Sequence, residues 1–317
     1  FTMNYLGFDI GGTKCAAVLG NREGRVLCRE AFPTEGPDAT LEKLFQAAES
    51  FSERACAAGV SCGGPLDEAS GVILSPPNLP GWDRVEIVRK IRERLGIPVW
   101  LCNDANACAL AEWRFGAGRG TRSMVFLTFG TGMGAGLILD GRLYSGACGN
   151  AGEIGHLRME RLGPVGYGKA GSFEGFASGG GISQLARAAA LEQFQQGKFT
   201  AYCRTPADLD SVTDKSTAQA AEAGDPTAIA VYRACGEKLG AGLAVLIDLL
   251  NPERIVIGSI FQRSEALLRP AMEEVLRRES LPSSLAAVQI VPAALGNEIG
   301  DIAALSIAIA KEGATDV

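Results

Sequence analysis

Residues 5–19 read YLGFDIGGTKCAAVL, so two apolar runs flank the segment Asp9-Ile10-Gly11-Gly12-Thr13-Lys14. The runs predict two strands, and the glycine pair predicts the hairpin turn that joins them. Backbone N–H groups at such a tip, together with the Thr13 hydroxyl, can hold phosphate oxygens. Asp9, at the end of the first strand, is placed to hold Mg²⁺ directly or through water. A plain hairpin without a ligand is the alternative interpretation.

Strands and helices alternate on the C-terminal side of this hairpin. Periodicity and turn residues predict strands at 25–32, 99–102, 254–257 and 287–291, and helices at 39–58, 83–95, 105–115, 229–250, 264–278 and 299–311. Strands joined by hairpins and then alternating with helices occur twice. This pattern predicts two related α/β domains that meet at a cleft, with a boundary near residues 116–120.

Composition limits the class of protein. The chain has 317 residues, of which 47% are hydrophobic and 21% charged, as expected for a globular protein of about two domains. A net charge of -6 gives no general attraction to nucleic acid or to anionic membranes. The nine cysteines form no Cys-x-x-Cys pair, and no basic segment followed by a long apolar run opens the chain. We therefore expect a cytoplasmic protein with reduced thiols.

A second glycine-rich segment, TFGTGMGAG at residues 128–136, follows a predicted strand. A dinucleotide fingerprint would require a helix to begin at its end, but residues 137–143 are typical of a strand with an Asp140-Gly141 turn. A dinucleotide-dependent oxidoreductase is therefore disfavoured. The segment instead repeats the glycine hairpin, and Gly130, Thr131 and Gly132 become candidate phosphate ligands.

Two further segments carry polar groups. A predicted strand leads into a predicted helix at Cys102-Asn103-Asp104-Ala105-Asn106. The two amides beside the Asp104 carboxylate suggest a base that acts on a polar substrate. Asp104 could also be a helix N-cap. Residues 149–156 contain Glu153 and His156, the only histidine, and Glu174 follows. Several acceptors and one imidazole suit a polyhydroxylated ligand.

These motifs, in this order and spacing from Tyr5 to about residue 310, resemble the ROK family of sugar kinases and sugar-responsive repressors in the actin-like ATPase superfamily. The resemblance implies a two-domain α/β fold of the actin-like ATPase (ribonuclease H-like) type with a cleft between the domains. It also implies a small domain over residues 1–116, joined by the helix 299–311, and a large domain over residues 117–298.

The resemblance also implies roles for single residues. Asp104 matches the catalytic base of the family, and Gly258 matches the turn beside adenosine. The positions that match sugar ligands are Asn78, Asn103, Glu153, His156 and Glu174.

A glucokinase-like activity follows from the resemblance: ATP-dependent phosphorylation of a hexose or N-acetylhexosamine, at the 6-hydroxyl, with ATP, Mg²⁺ and a homodimeric enzyme. The alternative is a sugar-sensing regulator of the same family. Such regulators carry a helix-turn-helix extension, whereas eight residues precede Asp9, so we expect the kinase.

The chain departs from the family at two places. Many members follow the histidine with Cys-x-Cys-Gly-x-x-Gly-Cys, which binds zinc, but residues 165–172 read VGYGKAGS and lack the three thiolates. We therefore predict that no zinc is bound, that Tyr167 and Phe173 anchor this segment by apolar packing, and that Glu174 or a backbone carbonyl orients His156. Ser259 stands where the family usually has glycine, which leaves the nucleotide base open.

Overall fold

The structure is a computed structural model that describes residues 3–51 and 54–313. The first elements along the chain are β1 (Asn4–Ile10), β2 (Lys14–Asn21), β3 (Val26–Pro33), α1 (Pro37–Ser50), β4 (Ala55–Cys62), β5 (Leu66–Asp67), β6 (Val72–Ile73), α2 (Ile87–Leu95), β7 (Val99–Asn103) and α3 (Asp104–Phe115). The elements that follow are β8 (Met124–Phe129), β9 (Met133–Leu139), β10 (Arg142–Tyr144), β11 (Val165–Gly166), β12 (Lys169–Ala170), α4 (Phe173–Phe176), α5 (Gly179–Gln195), α6 (Asp214–Glu222), α7 (Pro226–Leu250), β13 (Arg254–Ile257), α8 (Ile260–Glu279), α9 (Pro282–Ala287), β14 (Gln289–Pro292) and α10 (Ile299–Glu312).

The chain forms two compact units. The first unit contains the residues up to Arg122, the segment Gly136–Ala151 and the C-terminal segment from Ala294. The second contains Ser123–Ala135 and Gly152–Ala293. Helix α10 thus belongs to the first unit, although it is the last element in the described part of the chain.

Two five-stranded sheets organise the fold. One has the strand order β3-β2-β1-β4-β7, and the other has the order β10-β9-β8-β13-β14. In each sheet three strands consecutive in the chain lie side by side, and two later strands extend the sheet in parallel with their neighbours. The mixed α/β architecture expected from the sequence is therefore present.

The largest error in the sequence prediction concerns residues 39–58. They were expected to form one helix, but α1 ends at Ser50 and residues 55–62 form β4. The segment Ala55-Cys56-Ala57-Ala58-Gly59 has the alanine content of a helix, yet it lies between β1 and β7 and pairs with both in parallel. Pairing and burial in the sheet override the helix propensity of alanine here.

Two predicted helix starts also shift. The second helix begins at Ile87 instead of Asp83, and α8 begins at Ile260, with a non-helical residue at Ser264 where the sequence predicted the start. The other predicted strands and helices lie within a few residues of their expected bounds. No helix in the described part of the chain is long and apolar enough to cross a bilayer.

Helix α10 packs against β1 and β4 through glycines that leave room for its backbone. A Cβ atom at Gly7 would lie 2.9 Å from the backbone nitrogen of Leu305, and one at Gly59 would overlap the carbonyl oxygen of Ala304. Residues 301–309 of α10 are all buried. The helix can approach the strands this closely only because both positions lack a side chain.

We expect Gly59→Ala to lower the free energy of unfolding by about 2–4 kcal/mol, because the added methyl group must displace the backbone of α10. Denaturant titration measures the change. Gly36→Ala is the matched control, since a Cβ at Gly36 meets nothing within 4 Å. Its effect should stay within about 1 kcal/mol. Equal stability of the Gly59→Ala variant and the native protein would contradict this packing.

Candidate active site

The predicted site residues of the first unit collect at one edge of its sheet. Strands β1, β4 and β7 are parallel, and their register pairs Ile10 with Cys62 and Cys62 with Asn103. Their carboxyl ends therefore lie side by side, as polar groups that follow parallel strands do. Asp9, Gly63 and Asp104 all fall at this edge.

The loop that carries Asn78 lies against the glycine hairpin. A Cβ at Gly12 would lie 2.6 Å from the Asn78 carbonyl oxygen and 3.3 Å from its Nδ2 atom. Leu79 and Trp82 anchor the loop, with 1% and 0% of their surfaces exposed. The Trp82 indole also donates a hydrogen bond to the Glu35 carbonyl at 3.0 Å. Asn78, itself exposed, is therefore presented on a fixed loop.

Asn78, Asn103 and Asp104 surround the segment Gly63-Gly64. A Cβ at Gly63 would lie 3.7 Å from Asp104 Oδ2 and 3.7 Å from Asn78 Nδ2, and a Cβ at Gly64 would lie 3.7 Å from Asn103 Nδ2. Two amides and a carboxylate thus face one strip of backbone that has no side chains. Gly63 and Gly64 were not predicted from the sequence, because the start of the strand before them was expected to be helical.

Asn103, not Asp104, is the N-cap of α3. The Asn103 side chain accepts a hydrogen bond from the Ala105 N–H at 3.0 Å, while Asp104 is the first residue of the helix. Asn106 is 1% exposed, so it cannot readily reach a substrate as the sequence suggested. The amide beside the carboxylate is therefore supplied by Asn103 alone within this motif.

Glu68, which no sequence motif singled out, holds the backbone of Asn103 in place. The Glu68 carboxylate accepts a hydrogen bond from the Asn103 N–H at 2.8 Å. Glu68 follows β5, and its position 35 residues earlier in the chain gave no local signal of this contact.

Asp104 is exposed, but its surroundings disfavour its charge. Protein atoms around the carboxyl remove part of its hydration, which raises the pKa of Asp104 above its ordinary value. The Ala105 N–H, bonded to Oδ1 at 2.8 Å, lowers the pKa and offsets part of this effect. A carboxylate with a raised pKa is a stronger proton acceptor than an ordinary aspartate.

Asp9 is more strongly perturbed. Burial first, and then the charges of Asp301 and Asp104, raise the pKa of Asp9 to about 6. Asp301 is itself paired with Arg29, whose Nε lies 2.6 Å from Asp301 Oδ2. A Cβ at Gly300 would lie 2.7 Å from Asp9 Oδ2, so the first turn of α10 closely adjoins this carboxylate.

In the second unit, Glu174 adjoins the glycine hairpin between β8 and β9. Its Oε2 atom accepts the Met133 N–H at 3.0 Å, and a Cβ at Gly132 would lie 2.8 Å from the same oxygen. Residues 152–156 pack beside it, since the Ala135 N–H donates to the Gly152 carbonyl at 2.8 Å. Glu153 and His156 are both exposed on this segment.

The segment 165–172 differs in part from expectation. Phe173, which follows it, is fully buried, but Tyr167 is 65% exposed and is no apolar anchor. Instead the Tyr167 ring lies 5.2 Å from the His156 ring, with the two planes at 77°. Glu174 is occupied with Met133, as described above, and does not make the predicted contact with the imidazole in any hydrogen bond found among the described residues.

A cavity of about 370 Å³ lies beside the same hairpin in the second unit. Its lining combines the predicted Gly130 and Thr131 with Ser259, which the sequence analysis placed in the turn beside Gly258. The other lining residues were not singled out from the sequence: Gly179, Gly180, Ser183, Arg187, Val212, Thr213, Asp214, Ile260 and Arg263. Gly180 lies in the first turn of α5, whose N–H groups favour anions. Arg263 pairs with Asp214 at 3.2 Å. Ser259 follows the predicted Gly258 and lies 3.6 Å from a Cβ placed at Gly130.

Residues 5–311 match the sequence profile of the ROK family. The chain belongs to the ROK family. It is 32% identical over 310 residues to a glucokinase of Streptomyces coelicolor, with 96% of each protein covered. It superimposes with a TM-score of 0.76 and 30% identity on a ROK family glucokinase of Streptomyces griseus in complex with glucose and AMPPNP, covering 96% of this chain and 99% of that one.

The family also contains regulators. The chain is 31% identical over 288 residues to the DNA-binding transcriptional dual regulator NagC of Escherichia coli, covering 87% of this chain and 68% of NagC. The predicted actin-like ATPase fold is confirmed by the ROK structures that superimpose on the chain. Fold alone does not separate kinase from regulator.

Within the described residues, no three His, Cys, Asp or Glu side chains are grouped as a metal site. Asp9 could still hold Mg²⁺, because this ion commonly takes one or two carboxylates and completes its shell with water and substrate phosphates. Its high pKa fits that role, since a bound cation would relieve the repulsion among Asp9, Asp301 and Asp104.

Without a cation, the ionised Asp9 carboxylate should destabilise the fold. Its folded pKa is about 6 against an ordinary value of 3.8, so this penalty is full above pH 6 and vanishes below pH 3.8. We expect Asp9→Asn to raise the free energy of unfolding at pH 8, in the absence of Mg²⁺, by roughly 1–3 kcal/mol. The gain should shrink as pH falls to about 4.

Urea titrations at the two pH values measure this gain. Asp210→Asn is the control, because Asp210 is exposed. Its stability should remain within about 0.5 kcal/mol of the native protein at both pH values. An Asp9→Asn variant that is less stable than the native protein at pH 8 would show that the carboxylate is favourably paired.

Proposed function

We propose that the chain catalyses ATP-dependent phosphorylation of a hexose or an N-acetylhexosamine at its 6-hydroxyl. The observation that carries the proposal is the group of Asp104, Asn103 and Asn78 around Gly63-Gly64, which sets a carboxylate with a raised pKa beside two amides. Amides suit sugar hydroxyls, and the carboxylate suits the proton of the attacking hydroxyl. Similarity to a glucokinase over 96% of both chains supports the same activity.

Asp104 acts as the general base in this scheme. Its Oδ1 atom is engaged by the Ala105 N–H, so Oδ2, on the Gly63 side, takes the proton from the sugar hydroxyl. The hydroxyl oxygen forms the new bond to the γ-phosphorus of ATP, and ADP leaves with the electron pair of the broken bond. The protein forms no covalent intermediate, so most of the rate gain comes from positioning and fixed dipoles.

The cavity of the second unit is the proposed nucleotide site. Its lining offers the hairpin residues Gly130 and Thr131, the first turn of α5, and the cation of Arg263. These are groups that bind phosphate and ribose oxygens. The Streptomyces griseus glucokinase contains AMPPNP, which agrees with ATP as the donor.

Asp9 is the proposed Mg²⁺ ligand, and Gly11, Gly12, Thr13 and Lys14 are the proposed phosphate-binding residues of the first unit. Mg²⁺, when bound, neutralises phosphate charge. Lys14 is exposed and lies at the start of β2, where its ammonium group supplies a positive charge next to the hairpin.

Glu153, His156 and Glu174 are the proposed sugar-hydroxyl ligands of the second unit. The segment that carries Glu153 and His156 lies directly against Glu174. This close approach requires a glycine at position 155, since a Cβ there would overlap the Met133 carbonyl and lie 3.3 Å from Glu174 Cβ. Glu174 uses Oε2 for the Met133 N–H, so Oε1 is the oxygen assigned to the sugar.

A sugar-sensing regulator is the second candidate, favoured by the 31% identity to NagC. Such a protein would bind sugar through the same residues without transferring phosphate. The two candidates therefore differ in turnover, not in sugar affinity.

Incubation with ATP, Mg²⁺ and each of glucose, mannose, fructose, allose and the N-acetylated hexosamines, with ADP as readout, tests the proposal. We expect one or a few sugars to support turnover, and Asp104→Asn to lower kcat by on the order of 10² or more while sugar affinity persists. Asp210→Asn is the control and should retain native activity. Sugar binding without ADP release would favour the regulator, and native turnover by Asp104→Asn would remove Asp104 as the base.

The nucleotide site has its own test at Gly180. We expect Gly180→Glu to raise the KM for ATP by about tenfold or more, because a carboxylate would repel the phosphates. Gly180→Ala is the matched control: its Cβ would lie 3.6 Å from the Thr131 carbonyl oxygen, an ordinary contact. Native ATP affinity in Gly180→Glu would show that the nucleotide binds elsewhere.

A further inference from the structure

The turn that joins β11 and β12 is strained at Tyr167. The two central residues, Tyr167 and Gly168, have φ values of +44° and +74°. A two-residue hairpin turn with positive φ at both positions strongly prefers Asn-Gly, and a bulky aromatic residue at the first position is an outlier. Such strain persists where something else in the structure requires the residue.

Burial does not explain Tyr167. The side chain is 65% exposed, so little apolar surface is removed from water to offset the strain. Its aromatic contact is with His156, at 5.2 Å between ring centroids and 77° between planes. This edge-to-face arrangement is a favoured geometry for aromatic rings and restricts the rotation of each.

The hairpin that carries Tyr167 is itself fixed to the backbone around His156. The Lys169 ammonium donates to the His156 carbonyl at 2.5 Å, and Arg158 donates to the Ala170 carbonyl at 2.9 Å. On the other strand, the Gln184 side chain bonds both the N–H and the carbonyl of Val165, each at 2.9 Å. Tyr167 therefore contacts the imidazole from a hairpin held at both strands.

We infer that Tyr167 is a positioning residue for His156: its ring sets the orientation of the imidazole, and Lys169 fixes the backbone of the same residue. The inference rests on the proposed role of His156 as a sugar ligand. An imidazole that is already held in one orientation loses less conformational freedom when the sugar binds. Loss of that orientation should therefore lower the affinity for sugar.

Tyr167→Asn separates this role from a structural one. Asparagine suits the positive φ, so the variant should melt at or above the native temperature although the ring is gone. The KM for the best sugar should nevertheless rise by about fivefold or more, with the KM for ATP unchanged. Tyr167→Phe keeps the ring and should retain native values.

A double-mutant cycle shows whether the effect passes through His156. In a His156→Gln background, Tyr167→Asn should change the sugar KM by less than about twofold. An unchanged sugar KM in Tyr167→Asn alone, or the same increase in both backgrounds, would overturn the inference.

Nuclear magnetic resonance tests the contact without turnover. His156 is the only histidine, so its imidazole signals need no assignment. Their chemical shifts should change in Tyr167→Asn and stay the same in Tyr167→Phe. Unchanged chemical shifts in Tyr167→Asn would overturn the inference. If the native protein phosphorylates no sugar, the proposed function fails, and sugar dissociation constants from calorimetry replace KM in the cycle.

Discussion

The first unit depends on the close approach of α10 to β1 and β4. Residues 301–309 of this helix are buried, and Gly7 and Gly59 leave the space that its backbone occupies. The same approach brings Gly300 against Asp9 and sets Asp301 near enough to raise the Asp9 pKa. A packing contact between a helix and a sheet thus also fixes the electrostatics at the carboxyl edge of the sheet.

Glycines also allow a close approach of backbone segments in the second unit. Gly152 and Gly155 allow their segment to lie against residues 133–135, where side chains would overlap the carbonyls of Ala135 and Met133. Glu174 and His156 are held next to the hairpin by this contact. Much of the surface of this segment is therefore backbone, and few side chains project from it.

The parts of the site that follow one another in the chain could be predicted from sequence. Asp9 with its glycine hairpin, and Asn103 with Asp104, are adjacent residues at strand ends, and their local pattern indicated their position. Contacts between distant segments could not be predicted in this way. Arg263 pairs with Asp214 across 49 residues, and Glu68 meets Asn103 across 35, with no periodicity that links them.

The errors in the prediction also have physical causes. Alanine at 55, 57 and 58 favoured a helix, but these residues pair in the sheet as part of β4. Ala57 packs in one core cluster with Leu305 of α10, and Ala58 packs in another with Leu44 of α1. Tyr167 was expected to be a buried anchor because aromatic residues usually are, but a turn with positive φ keeps it exposed. Sheet pairing thus overrode residue type at the alanines, and turn geometry overrode it at Tyr167.

We propose that Asp104 directs phosphoryl transfer to a sugar hydroxyl. ³¹P and ¹³C spectra of the products formed from ATP and uniformly labelled sugar test it directly, because they identify the oxygen that carries the phosphate. We expect a phosphomonoester on the 6-hydroxyl, which the Asp104→Asn variant should form at least about a hundredfold more slowly. Inorganic phosphate as the only new phosphorus signal, or a sugar phosphate formed equally fast without the carboxylate, would contradict it.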